Sequence, residues 1–524
     1  MNGRQLIREN NSITYHIIFG IMEKNRIIIV GGGFAGLAAG IYGQKNGYST
    51  EIFEMHDKPG GLCTSWDRKG FTIDACIHWL VGSNPQSSFH DIWEEVGLLP
   101  GREFVDMELY MRYEASDGRV VNFWTDIDRL EKHLLEISPA DAGPIREFTN
   151  GIRMVLVFDM SGKEAPLWQR LKEKAALGWA MATKGALMKK WMNTTIVDFI
   201  DRLKEPLLKE AFREIWIPEF SLFFMLFTFA WLHKRNAGYP LGGSMPLSKA
   251  LEKKYLHLGG QIHYKSKVEN ILTENGNVLG VVLADGSEQR AYRVISAADG
   301  YTTIFKMLEG KFTSPALLEQ YEKWPLFHSL LFVGLGVNRT FEEVPLTVSG
   351  FSFPLKEPVE IAGVTLSRLP VHLYHHDPSL APPGKTALTV MLESDYGFWK
   401  KLSENRQAYL AAKEEAFEKV IACLEQRFPG ITAQVEMSDV ATPTTFERYT
   451  GNWKGSFEGW LITPQNAMTM VKPMKQTLPG LNHFYMCGQW VEPGGGLPTG
   501  IHSGRRLIKS ICKEDKKKFK VSDD

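Results

Sequence analysis

Cysteine and long apolar runs are both scarce in this 524-residue chain. The five cysteines, Cys63, Cys76, Cys423, Cys487 and Cys512, are odd in number and include no CxxC spacing. That excludes a disulfide framework, a zinc ribbon and a CxxC dithiol reductase, and it points to free thiols in a reducing, cytoplasmic setting. No apolar run reaches the ~18–20 residues of a membrane span, and the longest, 222–232, is about half that length. Excess charge is missing too. Sixty Lys and Arg meet sixty Asp and Glu, so no global field gathers nucleic acid, and that partner class is set aside. There is no internal repeat, no GxSxG elbow for a nucleophilic serine and no second GxGxxG. Ile17 to Ile21 is too short for the apolar core of a signal peptide, so residues 1–21 read as an extension ahead of the fold.

Glycine, in contrast, is plentiful and placed with a pattern. Arg26-Ile-Ile-Ile-Val30 reads as a short buried strand, followed by Gly31, Gly33 and Gly36 in GxGxxG spacing and by a helix rich in small residues. Gly31 permits the tight turn, Gly33 lets backbone approach a pyrophosphate, and Gly36 lets the helix pack close to the strand. The helix N-terminus, with about half a positive charge, meets the phosphates. A second strand ends at Glu54, whose carboxylate is placed to accept ribose hydroxyls and to disfavour a 2′-phosphate. Together these form a dinucleotide-binding βαβ unit.

Further along, Gly60 and Gly61 offer backbone N–H groups to an anion. Ser244, with Pro246 in the first turn, reads as the cap of a helix ending near Gly259 and Gly260. Asn275-Gly276 and Asp285-Gly286 punctuate a three-stranded meander over 262–295. A strand through Cys487, a glycine loop and a closing helix from about Gly500 end the ordered chain.

In this order the motifs make the chain resemble the phytoene desaturase family, which includes carotenoid isomerases and retinol saturases, within the broader flavin amine-oxidase-like group. The likeness spans about residues 25–512 and is strengthened by Thr442-Pro443, Arg448-Tyr449, Gly451, Gly455, Gly459 and Pro493-Gly494-Gly495-Gly496. It implies an α/β fold. A Rossmann-like FAD-binding domain with ββα layering (22–104, 238–310, 476–512) would interleave with a helix-rich α+β substrate domain (105–237, 311–475), and a charged, disordered tail (513–524) would follow. The implied cofactor is FAD. Gly31, Gly33 and Gly36 would face its pyrophosphate, Glu54 its adenosine ribose, Gly60 and Gly61 its phosphate and ribityl path, and the Val268 backbone its adenine. Gly488 and Gly500 would lie by the flavin ring, with Phe34, Ala35, Leu62, Gln489, Gly496 and Ile501 completing the set. The chain departs from the family in having Gln489 after Gly488, where Asp is frequent, and Leu62 after Gly61, where Arg is frequent. The second difference brings it nearer the saturase and isomerase branches.

The implied reaction moves a hydride between flavin N5 and a long apolar substrate, a carotenoid, retinoid or other polyprenoid. Such a substrate needs aromatic and aliphatic walls, which the 222–232 run and 30 Phe can supply. His78, a polar residue in an apolar run beside Trp79, is the first candidate for proton transfer, followed by Asp74 and Glu492. His372, His375 and His376 lack the spacing and cysteine partners of a metal centre, so no metal is expected. The Lys-rich stretch 172–192 and Lys516-Lys517-Lys518 suit peripheral contact with an acidic membrane. Two other readings stay open: a flavoenzyme acting on a small amine, and a flavin- or lipid-binding protein without turnover. The oligomeric state has no signature in the sequence.

Overall fold

The computed structural model describes residues 24–156, 185–470 and 472–523. The proposed extension 1–21 and most of the 172–192 stretch lie outside them. Strand β1 (Arg26–Val30) is almost wholly buried, as its four Ile and Val side chains require. Helix α1 (Phe34–Lys45) follows, then β2 (Ser49–Phe53). Far along the chain come α2 (Leu222–His233), α3 (Ser244–His257), β3 (Gln261–His263), β4 (Arg293–Ser296), β5 (Phe484–Met486) and α4 (Gly496–Glu514).

The five strands form one sheet in the order β3-β2-β1-β4-β5, parallel throughout. Alternation along β1 makes the layers. Ile27 and Ile29 join α1 and α4 in one apolar core, while Ile28 and Val30 pack with Val268, Ile271, Val278 and Val281 of an antiparallel three-stranded sheet. Helices, parallel sheet and antiparallel sheet thus stack in the ββα order expected. The meander differs in one respect. Its third strand stops at Arg290, and Arg293–Ser296 turns away to pair with β1.

A second sheet has seven strands in the order Val435–Ala441, Leu330–Val337, Thr386–Glu393, Val364–Leu373, Phe351–Ile361, Leu109–Glu114 and Val120–Trp124. Helix Arg406–Arg427 covers it through Val420, Ile421 and Leu424. Beside it, helices including α2 surround Phe148, whose ring meets Phe199, Phe212 and Phe229 at centroid distances of 5.4, 5.6 and 5.9 Å. Pairs of this kind each add roughly 0.5–1.5 kcal/mol beyond burial.

The charged tail is not disordered as expected. Phe519 lies against the Tyr42 ring at 5.8 Å, and Asn46 exchanges hydrogen bonds with the backbone of Lys520. The reason is Lys45, whose side chain is only 2% exposed. Its ammonium group needs acceptors, and the tail supplies the Val521 carbonyl at 2.6 Å and the Asp523 carboxylate at 3.1 Å.

Candidate functional site

A cavity of about 1200 Å³ opens along the C-terminal edge of the parallel sheet and runs toward the seven-stranded sheet. It exceeds the ~300–1,000 Å³ usual for one small ligand, leaving room for a dinucleotide and a substrate. Glu54, Lys267 and Val268 line it, with Gly31, Gly33, Phe34, Ala35, Gly60, Gly61 and Leu62. Gly488, Gln489, Gly496 and Gly500 line it as well, Gly488 and Gly500 lying close against Ala35 and Phe34. These residues come from three distant stretches of sequence and face one space.

The cradle fits a dinucleotide by its donors. Helix α1 begins at Gly33 with no side-chain cap and no acidic residue in its first turn, so its leading N–H groups remain for an anion. Glu54 is buried. One oxygen accepts from Gly32 N–H at 2.6 Å and the other from His56 N–H at 2.7 Å, which fixes the carboxylate at the cavity wall with lone pairs to spare. Two residues expected at the cofactor do not reach the cavity. Gly36 is the spacer beneath it: a Cβ there would stand 2.0 Å from the Gly31 carbonyl oxygen, so a side chain would push α1 off β1. Ile501 is fully buried in the core shared by α1 and α4.

Beyond the glycines the walls become aromatic and aliphatic. Trp79, Trp216, Phe224, Trp231, Phe327 and Leu330 all face the space. Trp79 and Trp216 lie 5.8 Å apart, and Trp216 contacts Phe224 at 5.9 Å. Of the apolar helix α2, Phe224 and Trp231 face the cavity, while Leu226, Phe227 and Phe229 are core.

The three candidates for proton transfer separate. Asp74 does not line the cavity. Its carboxylate accepts from Ser244 N–H at 2.5 Å, Ser244 O–H at 2.7 Å, Cys76 N–H at 3.0 Å and Ile77 N–H at 3.1 Å. Asp74 therefore caps α3 from a distant strand. Ser244, expected to be that cap, occupies the first turn behind Gly243 and is held by Asp74. Burial raises the Asp74 pKa against the pull of these donors. His78 does line the cavity. Its ring stacks on His372 at 4.6 Å, and burial lowers its pKa to about 4, so the ring is neutral near pH 7. His372 stacks in turn on Tyr374 at 4.5 Å and lies 6.2 Å from His376. Glu492 also lines the cavity, with its oxygens held by His502 Nδ1 at 2.6 Å and Arg506 at 3.2 Å.

Sequence reading missed other acidic groups on the wall. Asp299 accepts from the N–H groups of Thr302 and Trp453, and burial raises its pKa to about 6. His328 pairs with Glu393 at 3.0 Å, which raises the imidazole pKa and lowers that of the carboxylate. Glu458 accepts from Gly496 N–H at 3.1 Å, and burial raises its pKa to about 8. A signal for Glu458 existed: a lone acid inside Phe457-Glu-Gly-Trp-Leu-Ile462.

Among the described residues, no helix is long and apolar enough to cross a membrane. Comparison with known proteins agrees with the geometry. The signature of the flavin containing amine oxidoreductase family matches residues 34–507. A chloroplastic prolycopene isomerase from Arabidopsis thaliana is 24% identical over 513 residues, covering 93% of this chain and 83% of the relative. A lycopene-forming phytoene desaturase from Paracoccus sp. is 26% identical over 509 residues, covering 93% and 97%. The crystal structure of an oxidoreductase from Methanosarcina mazei shares the fold, with a TM-score of 0.57 at 18% identity, over 92% of this chain and all of that one. With a dinucleotide cradle, an apolar chamber beyond it and a family signature over nearly the whole fold, the chain belongs to the flavin-containing amine oxidoreductase family and is a flavin-dependent oxidoreductase.

Proposed function

We propose that the protein binds FAD and carries out double-bond chemistry (desaturation, saturation or isomerisation) on a long apolar polyene or isoprenoid. The observation that carries this reading is the wall of the chamber beyond the glycine cradle, built from Trp79, Trp216, Phe224, Trp231, Phe327 and Leu330. The relatives named above, a prolycopene isomerase and a phytoene desaturase, support the same class.

Glu54 would hold the adenosine ribose, Val268 the adenine, and the first turns of α1 and α4 the phosphates and the ring. Helix α4 starts at Gly495 with no capping side chain of its own and no acid in its first turn, so its dipole favours negative charge on the ring. When bound, the flavin supplies two-electron chemistry at N5. The chain's own residues bury the substrate, at about 25 cal/mol per Å² of apolar surface, and keep water out. His78 and Glu492 are polar positions on the wall, and Asp74 maintains the fold.

The test is anaerobic mixing of the oxidised and the reduced flavoprotein with phytoene, with poly-cis lycopene and with a panel of small amines. Bleaching, reoxidation or isomerisation with the polyenes alone supports the proposal. Reduction by amines alone replaces it with amine oxidation. No response to any lipid or amine favours a binding protein without turnover.

A source of apolar substrate is a membrane, and we propose peripheral contact through the tail. Arg506, Lys513, Lys516, Lys517 and Lys518 surround a shallow basic hollow there. Flotation with vesicles containing acidic lipid, but not with neutral ones, is the expected result; no flotation with either removes the contact.

A further inference from the structure

Several carboxyl groups stand at or beside the chamber, and four of them differ in what is left of each. Asp74 has both oxygens engaged by α3 and its own loop. Asp299 has one oxygen on Thr302 N–H and the other on Trp453 N–H. Glu492 is shared between His502 and Arg506. Glu458 is the exception. Its Oε1 accepts from Gly496 N–H at 3.1 Å, the one hydrogen bond of its carboxyl group among the described residues.

The position of Glu458 is built rather than incidental. Its segment is pinned to 325–329 by bridges from Ser456 to Ser329 and from Trp460 to Leu326. Phe327 N–H donates to the Gly459 carbonyl at 3.1 Å, and Leu461 N–H to that of Pro325 at 2.9 Å. This aims the carboxyl group at the start of α4. A Cβ on Gly495 would fall 1.7 Å from Oε2, so the carboxyl occupies the space that the missing side chain leaves, on a backbone with φ of +63°. Phe457, Phe327, Ile462 and Leu497 line the same cavity.

We propose that Glu458 is the acid–base residue of the site, exchanging a proton with an alkene carbon of the apolar substrate. This rests on the polyene reading above. In one direction the carboxyl O–H bond breaks, the π pair of a C=C bond forms a new C–H bond, and the carboxylate left behind keeps its hydrogen bond from Gly496. The neighbouring carbon, now short of an electron pair, recovers it in one of two ways. Without net redox change, the proton returns to the carboxylate after rotation about the former double bond. With net reduction, the pair comes from a two-electron donor, the reduced flavin. In the opposite direction a hydride leaves one carbon for a two-electron acceptor, the oxidised flavin, while the carboxylate takes a proton from the neighbouring carbon, whose C–H pair becomes the new π bond.

The surroundings suit a carboxyl that carries a proton near neutral pH. Burial raises its pKa to about 8, against only the opposing Gly496 N–H. Among the described residues no cation acts on it. Cys76, on the loop after Phe71–Asp74, feels its charge. His78 differs: burial lowers its pKa to about 4, so near pH 7 it holds no imidazolium proton to give.

The test uses the flavin-loaded full chain and two readouts. The first needs no substrate. Infrared spectra of wild type and Glu458→Gln are compared as pH is raised. A protonated-acid carbonyl stretch, sensitive to D₂O and titrating near pH 8, should be present in wild type and absent from the variant. The second is turnover of phytoene or poly-cis lycopene in D₂O. Glu458→Gln should keep its flavin, lose deuterium incorporation at vinylic carbon, and slow by about 10²–10⁴-fold. Glu458→Asp should recover part of the rate; if the Gln variant loses flavin, the Asp variant carries the test by its slowed rate at full flavin content. An unchanged carbonyl band in Glu458→Gln, or a rate and deuterium content within threefold of wild type, overturns the role of Glu458 alone. A wild type that turns over no polyene, while its carbonyl band behaves as expected, overturns the polyene reading and the proton step with it.

Discussion

The cofactor cradle and the substrate chamber share one cavity but are made of different material. The cradle is backbone: N–H groups of α1, glycines that let chain segments approach, and one carboxylate, Glu54, clamped by two N–H donors. The chamber is side chain: tryptophans and phenylalanines brought together from positions as distant as 79, 216 and 327. Backbone chemistry tolerates no change at a few positions, whereas a wall of apolar rings can be altered piece by piece. The cradle should therefore fail abruptly under mutation and the chamber gradually.

The largest effect belongs to Gly36→Val. With a Cβ required 2.0 Å from the Gly31 oxygen, α1 must move off β1, and the purified variant should be colourless or insoluble. A yellow, stable variant would break the contrast. Asp74→Ala comes next. Four donors lose their acceptor, at about 1–3 kcal/mol for each that stays buried and unpaired, so thermal unfolding should drop by many degrees or the protein should fail to express. If Asp74→Ala is stable but inactive, Asp74 belongs to the chemistry and not to the fold.

Trp216→Ala should leave flavin content unchanged and raise KM for a polyene by about tenfold or more as apolar contact area is lost. Loss of flavin instead would show that the two regions are not separable.

The ring cluster of His78, His372 and His376 gives a pH signature. Burial lowers the pKa of His78 and His376 to about 4, from an unfolded value of about 6.5. The unfolded chain binds protons that the folded chain refuses, so stability is full above about pH 6.5 and falls as pH drops toward 4, each site adding up to about 1.4 kcal/mol per pH unit. Glu458 acts oppositely. Its folded pKa of about 8 lies above the unfolded value of 4.5, so its contribution is full below about pH 4.5 and is lost progressively as pH rises from there to about 8. Denaturant unfolding from pH 4 to 9 should show these opposed terms, with His376→Phe reducing the rise in stability between pH 4 and 6.5 and Glu458→Gln removing the fall between pH 4.5 and 8. The smallest effect is at the tail. Phe519→Ala should cost about 1 kcal/mol in unfolding, with flavin binding unaffected.

The same contrast explains what could be read from sequence. The GxGxxG unit, the carboxylate at Glu54 and the Gly60-Gly61 loop are local patterns, each needing only neighbouring residues, and the cavity wall carries nearly all of them. Ile501 lies in the core; sequence shows which residues start a helix but not which face turns inward. Asp74 looked chemical because a buried acid in an apolar run has no local explanation; its partner Ser244 lies 170 residues away. The tail looked disordered by composition, yet Lys45, far removed in sequence, needed its acceptors. Glu458 gains meaning only beside Gly495 and Gly496, a juxtaposition the fold alone creates.

The claim on which the rest depends is that the glycine cradle holds a flavin dinucleotide next to an apolar chamber. Mass analysis of the small molecules released on denaturing the purified protein tests this most directly. One FAD per chain, with an apolar isoprenoid or other lipid co-purifying, is the expected result. A colourless protein that releases no flavin and takes none up when FAD is added would contradict it.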